Sequence, residues 1–115
     1  MDQSRRVLIV EDEIALRRWL ASYLEGRGLA VVQAGSLAEA EFLLDREKFD
    51  AVVLDVGLPD GDGLTLLERS PAESSLVITA NPDAAHFERY GVVHHLTKPL
   101  DLPEFVREVR ALSNP

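Results

Sequence analysis

The chain contains no cysteine, which removes disulfide scaffolds, thiolate metal sites and cysteine nucleophiles from consideration. That fits a reducing compartment, and a cytoplasmic location is the expectation. Proline and glycine are scarce, six and seven in 115 residues, against what disordered or fibrous chains require. Long apolar runs are missing too. The opening MDQSRRVLIVEDE meets acidic residues after four apolar ones, so it lacks the apolar stretch of a secretion signal. No segment is long and apolar enough to span a membrane. Basic charge is in deficit: 12 Lys and Arg against 20 Asp and Glu give a net charge of −8, which opposes non-specific attraction to a nucleic-acid backbone. Direct nucleic-acid binding by this chain is therefore not expected. What remains is 46% apolar and 28% charged residues without a compositional break, enough for one globular domain over residues 1–115. Pro115 fits either a natural end or the start of a linker.

Periodicity orders the elements. Val7 to Val10 and Ala51 to Leu54 are short continuous apolar runs, as strands covered on both faces require. Between them Leu16, Trp19, Leu20, Tyr23 and Leu24 recur at three and four residues, predicting a helix from about Glu13 to Arg27 that Gly28 stops. Val31 and Val32 mark a second strand. Ser36 and Glu39 form a capping box for a helix to about Glu47, with Ala40, Leu43 and Leu44 inward. After Asp55, Pro59 to Gly63 is a turn-rich loop before a short helix carrying Leu64 and Leu67, ended by Pro71. Leu76 to Ile78 make a fourth strand, Pro82 suits the first turn of a fourth helix, and Val92 to Leu96 make a fifth strand. A last helix starts at Asp101, capped with Glu104, and turns Leu102, Phe105, Val106, Val109 and Leu112 inward. Alternating strands and helices predict an α/β fold: a doubly wound, five-stranded parallel sheet of flavodoxin-like (β/α)5 type, strand order 2-1-3-4-5.

That order makes strands one and three neighbours, so Glu11, Asp12 and Asp55 meet at the switch point beyond their carboxyl ends. Thr79 and Lys98, at or just after strands four and five, look into the same crevice. Three crowded carboxylates either raise a proton affinity or recruit a cation. Hard oxygen ligands with room for water favour magnesium, or manganese, over zinc. Such a site suits phosphoryl transfer, with Asp55 as nucleophile, Lys98 as a point charge on one phosphoryl oxygen and Thr79 as donor to another. A carboxylate nucleophile is already ionised at neutral pH, so no general base is required. Taken singly, each residue has an ordinary structural use: the acids as caps or turn residues, Thr79 as a strand end, Lys98 as a surface lysine before proline. One phosphoryl-binding site accounts for all of them together.

At these residues the sequence resembles the receiver domain of bacterial two-component response regulators. The matching stretches are VLIVEDE (Val7 to Glu13), VVLDVGLPDGDG (Val52 to Gly63), ITA (Ile78 to Ala80) and HLTKP (His95 to Pro99). The resemblance implies a signalling switch phosphorylated on Asp55, with Asp12 and the Gly57 carbonyl as further magnesium ligands. It makes Glu11 an acidic partner acting through metal-bound water, and gives Thr79 and Lys98 phosphoryl contacts. The implied donor is a sensor histidine kinase or a histidine phosphotransfer protein, and the implied recipient of the signal is an output domain or protein partner. The resemblance makes positions 57 and 81 those whose side chains orient or obstruct water attacking the acyl phosphate: Gly57 offers no shield, and Asn81 either orients the water or caps the fourth helix.

The pattern also departs from the family's. The intervals from Gly63 to Thr79 and from Thr79 to Lys98 are short, so helices three and four are expected to be abbreviated. His95 stands where an aromatic switch residue is common, and it is smaller and can become charged. Val93 and His94 replace acids used by many transcription-factor receivers between subunits, which leaves dimerisation open. Two other readings of the chain are a degenerate receiver that binds partners without phosphorylation and a phosphohydrolase built on the same acids. A flavin protein of similar topology is disfavoured by the acidic loop after strand one.

Overall fold

The computed structural model describes residues 5–113; Pro115 lies outside that range. Five strands form one parallel sheet: β1 (Arg6–Val10), β2 (Ala30–Ala34), β3 (Ala51–Asp55), β4 (Ser75–Thr79) and β5 (His94–Thr97). Their spatial order is β2-β1-β3-β4-β5, as expected from the alternation of elements. The register sets Val10 beside both Ala34 and Leu54, Asp55 beside Ile78, and Thr79 beside Thr97. The chain therefore leaves β1, β3, β4 and β5 along one rim. The fifth strand begins two residues later than its apolar run suggests, because Val92 still belongs to the turn out of the preceding helix, where its N–H donates to the Phe87 carbonyl.

Alternate strand residues feed two cores. On one face Val7, Ile9, Val53, Leu76 and Ile78 meet Leu20, Ala21 and Leu24 of α1 (Ile14–Glu25) and Phe105, Val106 and Val109 of α4 (Leu102–Ser113). On the other, Leu8, Val10, Val52, Leu54 and Val77 meet Ala40 of α2 (Leu37–Arg46), Leu64 and Leu66, and Phe87 of α3 (Ala84–Tyr90). Each fully buried leucine, isoleucine or phenylalanine contributes about 1.5–3 kcal/mol relative to exposure. Burial on both faces explains why these strands read as continuous apolar runs.

Several expectations need correction. Trp19 does not join the inner stripe of α1 and is 58% exposed. The sheet meets the arc of Leu20, Ala21 and Leu24, and the 3.6-residue turn carries Trp19 to the far side. The third helix is not α-helical: Gly63–Glu68 forms a 3₁₀ helix, with Leu66 buried as well as Leu64, and a three-residue 3₁₀ turn at Ala72–Ser74 follows Pro71. The tighter winding spans a short interval. The fourth helix, α3, has seven residues, so both abbreviations are present. Pro82 precedes that helix rather than entering its first turn. The cap is Asp83, whose carboxylate accepts from the His86 N–H at 3.2 Å.

The capping box of α2 is half formed, with Ser36 Oγ accepting from the Glu39 N–H while the Glu39 carboxylate turns to the Gly35 N–H. Asp60 supplies the rest from across the rim: its two oxygens accept from the N–H groups of Leu37 at 2.8 Å and Ala38 at 3.0 Å. Helix α1 ends in the turn Gly26 to Gly28, where Gly28 takes a φ of 87° and donates its N–H to the Glu25 carbonyl. Among the described residues no helix is long and apolar enough to cross a membrane.

Candidate functional site

Glu11 is the first residue past β1. Its N–H continues the sheet by donating to the Ala34 carbonyl at 3.0 Å, which turns its side chain under the rim, 1% exposed. Asp12 follows and points to solvent. Asp55 closes β3, 9% exposed. One carboxylate oxygen from each lies within 4.8 Å of the others. Switch-point topology thus gathers the three acids expected from the sequence.

Lys98, arriving immediately after β5, sits between two of them. Its Nζ donates to Glu11 Oε1 at 2.7 Å and to Asp55 Oδ2 at 2.9 Å. Burial raises the pKa of Glu11, with the charge of Asp55 adding to that; the hydrogen bond from Lys98 opposes both. For Lys98, burial acts to lower the pKa, but the hydrogen bonds and charges of Glu11 and Asp55 outweigh it, and the ammonium is held above its ordinary range. Three carboxylates against one ammonium leave the pocket short of positive charge, and all the side-chain donor atoms around it are hard oxygens. This donor set fits a magnesium or manganese ion, and the exposed flank at Asp12 leaves room for water and a further ligand.

The loop after Asp55 is rigidly built. Gly57 and Leu58 pair antiparallel with Asp62 and Gly61, the Gly57 N–H donates to Asp55 Oδ1 at 3.3 Å, and the Gly63 N–H donates to the Val56 carbonyl at 2.7 Å. Gly63 carries no site signal in the sequence, yet a Cβ there would lie 1.8 Å from the Asp55 carbonyl oxygen. Only the spacing of the PDGDG turn hinted at so close a return. Asp62 caps the 3₁₀ helix, accepting from the Leu64 N–H at 2.9 Å, and its second oxygen meets His86 Nε2.

Thr79 is buried at the end of β4. Its Oγ accepts from the Asn81 N–H at 3.2 Å, and its carbonyl accepts from the Lys98 N–H at 2.8 Å, which ties the threonine to the lysine through backbone. Asn81 is exposed and does not cap α3, since Asp83 does. His95 is not in the pocket. It lies on the exposed side of β5, opposite Val77, with its ring 5.0 Å from that of Phe87 on α3.

The profile of the response regulator receiver domain matches residues 7–110. Among curated proteins the chain is 36% identical over 110 residues to the KDP operon transcriptional regulatory protein KdpE of Escherichia coli, covering 90% of this chain and 49% of that protein. It is 37% identical over 114 residues to the transcriptional regulatory protein PmrA of Pectobacterium parmentieri, covering 93% and 51%. The chain spans about half the length of these relatives. Among solved structures, the non-phosphorylated HemR receiver domain from Leptospira biflexa superimposes with a TM-score of 0.84 at 31% identity, covering 97% of this chain and 96% of that one. A matching sheet order, a rim that collects acids and lysine, and these likenesses agree: the chain belongs to the response regulator receiver domain family.

Proposed function

We propose that this domain is a magnesium-dependent switch that accepts a phosphoryl group on Asp55 from a sensor histidine kinase or a histidine phosphotransfer protein. The observation that carries the reading is the Lys98 ammonium shared between Asp55 and the buried Glu11. An ammonium with three donors, already at the nucleophile, can turn one of them to an incoming phosphoryl oxygen without being brought from elsewhere. A divalent cation held by Asp12, Asp55 and the Gly57 carbonyl, with Glu11 acting through its water, would neutralise charge on the transferring group. In the transfer an Asp55 oxygen bonds to phosphorus, the bond from phosphorus to the donor nitrogen breaks, and its electron pair stays on the imidazole. The Thr79 hydroxyl donates a hydrogen bond to a second phosphoryl oxygen. Asn81, freed from any capping duty, orients the water that later hydrolyses the acyl phosphate, while Gly57 offers no side-chain shield.

Relay follows from what the phosphoryl group does to its neighbours. Thr79 and Lys98 are joined through backbone, so both respond to one new charge. Thr79 ends β4, whose Val77 shares a core with Phe87 of α3, and Lys98 follows β5, whose His95 touches that same Phe87. We assign the output surface to α3, β5 and α4, read by an output domain or protein partner. The 36–37% identical relatives are named transcriptional regulators; at a net charge of −8, this domain would influence DNA only through such a partner.

The test is intact-mass analysis after incubation with acetyl phosphate. One labile phosphoryl addition that requires both Asp55 and a divalent cation is expected. A modification that survives in Asp55→Asn, or that forms in excess chelator, would refute the assignment.

A further inference from the structure

Arg17 lies one turn into α1 and has no part in the chemistry above. Its Nη1 donates to the backbone carbonyl of Glu11 at 2.9 Å, and its Nε donates to Gln33 Oε1 at 3.2 Å. That carbonyl belongs to the peptide joining Glu11 to Asp12. One guanidinium therefore ties the helix to the link between two of the three clustered carboxylates.

The approach is made possible from the other side. Gly35, just past β2, faces the guanidinium so closely that a Cβ there would lie 2.7 Å from Arg17 Nη1. Gly35 is fixed in turn by the Glu39 carboxylate, which accepts its N–H at 2.9 Å. The Glu11 residue is thus held at both its backbone groups: N–H to Ala34, carbonyl to Arg17. Its side chain is held by Lys98 and, at 3.3 Å, by the Glu13 N–H. Asp12 is exposed, and the Glu11–Asp12 peptide fixes the Cα–Cβ direction from which its carboxylate reaches toward the cluster.

We propose that Arg17 is a positioning residue for the divalent-cation site, setting the Asp12 carboxylate through the Glu11–Asp12 peptide; this rests on the magnesium reading above. Magnesium demands near-octahedral geometry, so ligands that must first be ordered bind it more weakly. A planar fork with fixed N–H directions makes both of these contacts, which a lysine ammonium does not reproduce. The sign of the effect separates positioning from charge. As a nearby cation, Arg17 opposes magnesium, and removing charge alone would tighten binding. Losing the positioning contact weakens it.

The experiment is a magnesium titration of the unphosphorylated chain, followed through the amide resonances of Asp12 and Gly57, for wild type, Arg17→Ala, Arg17→Lys and Gly35→Ala. Both Arg17 variants should raise the dissociation constant about tenfold, in line with groups that orient metal ligands. Gly35→Ala, which displaces only the tip of a flexible side chain, should shift it in the same direction by less, and combining it with Arg17→Ala should add nothing further. Melting curves in chelator report any structural contribution separately. If Arg17→Ala fails to fold, Arg17→Lys carries the same test, because it keeps the cation and the aliphatic stem. Unchanged or tighter binding in the Arg17 variants beside a responsive wild type overturns the positioning role alone. A wild type that shows no magnesium response overturns the cation reading and this inference with it.

Discussion

Replacing Gly63 with alanine tests how closely the loop after Asp55 is fitted. The added Cβ would fall 1.8 Å from the Asp55 carbonyl oxygen, 2.9 Å from its carbonyl carbon and 3.3 Å from Val56 Cα. All three are backbone atoms, so no rotamer change relieves the clash. The strands of the loop must part by roughly 1 Å, at the upper end of the cost of overpacking, about 3 kcal/mol. The 2.7 Å bond from the Gly63 N–H to the Val56 carbonyl is strained or lost in the process. For a domain of 115 residues each kcal/mol moves the melting temperature by about 3–6 °C, so a fall of roughly 10–20 °C is expected. Asp55 moves with its own carbonyl, and a 1 Å misplacement of a reacting group costs on the order of 100-fold in rate. Thermal unfolding by circular dichroism and the rate of modification by acetyl phosphate measure the two effects. Gly57→Ala is the control: nothing lies within 4 Å of its added Cβ, and its melting temperature should stay near that of wild type. A Gly63→Ala protein that melts within about 2 °C of wild type would refute the reasoning.

Lys98→Met leaves the carboxylate of Glu11, 1% exposed, without its counter-ion. About 3 kcal/mol should be lost in urea unfolding at neutral pH, part of it recovered in the Glu11→Gln, Lys98→Met double variant; a single variant as stable as wild type would contradict this. Asp60 has its pKa lowered by the N–H groups of Ala38 and Leu37, so its contribution is present above its unfolded value and is lost as pH falls through the folded one. The stability gap between wild type and Asp60→Asn should accordingly hold through neutral pH and close below about pH 4, and a gap independent of pH would exclude the charged cap. Asn81→Ala should lengthen the lifetime of the acyl phosphate, and an unchanged decay removes its role in orienting water. Saturation with a phosphoryl analogue should shift the His95 imidazole and α4 resonances; changes confined to the Asp55 pocket would sink the relay.

The fold was legible because its signals are local or periodic. Buried strands show as apolar runs, and Ser36 and Asp101 each accept the N–H three residues on, as capping requires. The acid cluster was legible through topology, since strand order alone brings Glu11, Asp12 and Asp55 to one point. What escaped depends on contacts distant in sequence. Asp60 caps a helix that starts 23 residues earlier, beyond any local capping rule. Arg17 reads as one more solvent-facing arginine until Gly35 and the Glu11 carbonyl are placed beside it. Trp19 falls outside the core because a three-and-four periodicity identifies a stripe but not which flank of it the sheet covers. Proline is favoured in a first turn, but Asp83 offers the stronger cap one position after Pro82 and so sets the start of the helix.

The two rims of the sheet differ in what they can be asked to carry. The carboxyl-end rim holds the acids, Lys98 and the Asp60 bridge, so a label placed there reports on itself. At the opposite rim, the turn after α1 is exposed, and a side chain at Gly26 would meet only the Ser22 and Tyr23 carbonyls, both at an ordinary 3.5 Å. Because the chain has no cysteine, Gly26→Cys creates a unique thiol without removing any other. Gly28, two residues on, is the wrong choice, since its φ of 87° strains any side chain. A dye or surface tether at Gly26 leaves the carboxyl-end rim, the face proposed to accept the phosphoryl group, unobstructed, which allows association of a candidate partner to be followed by fluorescence on the otherwise native protein.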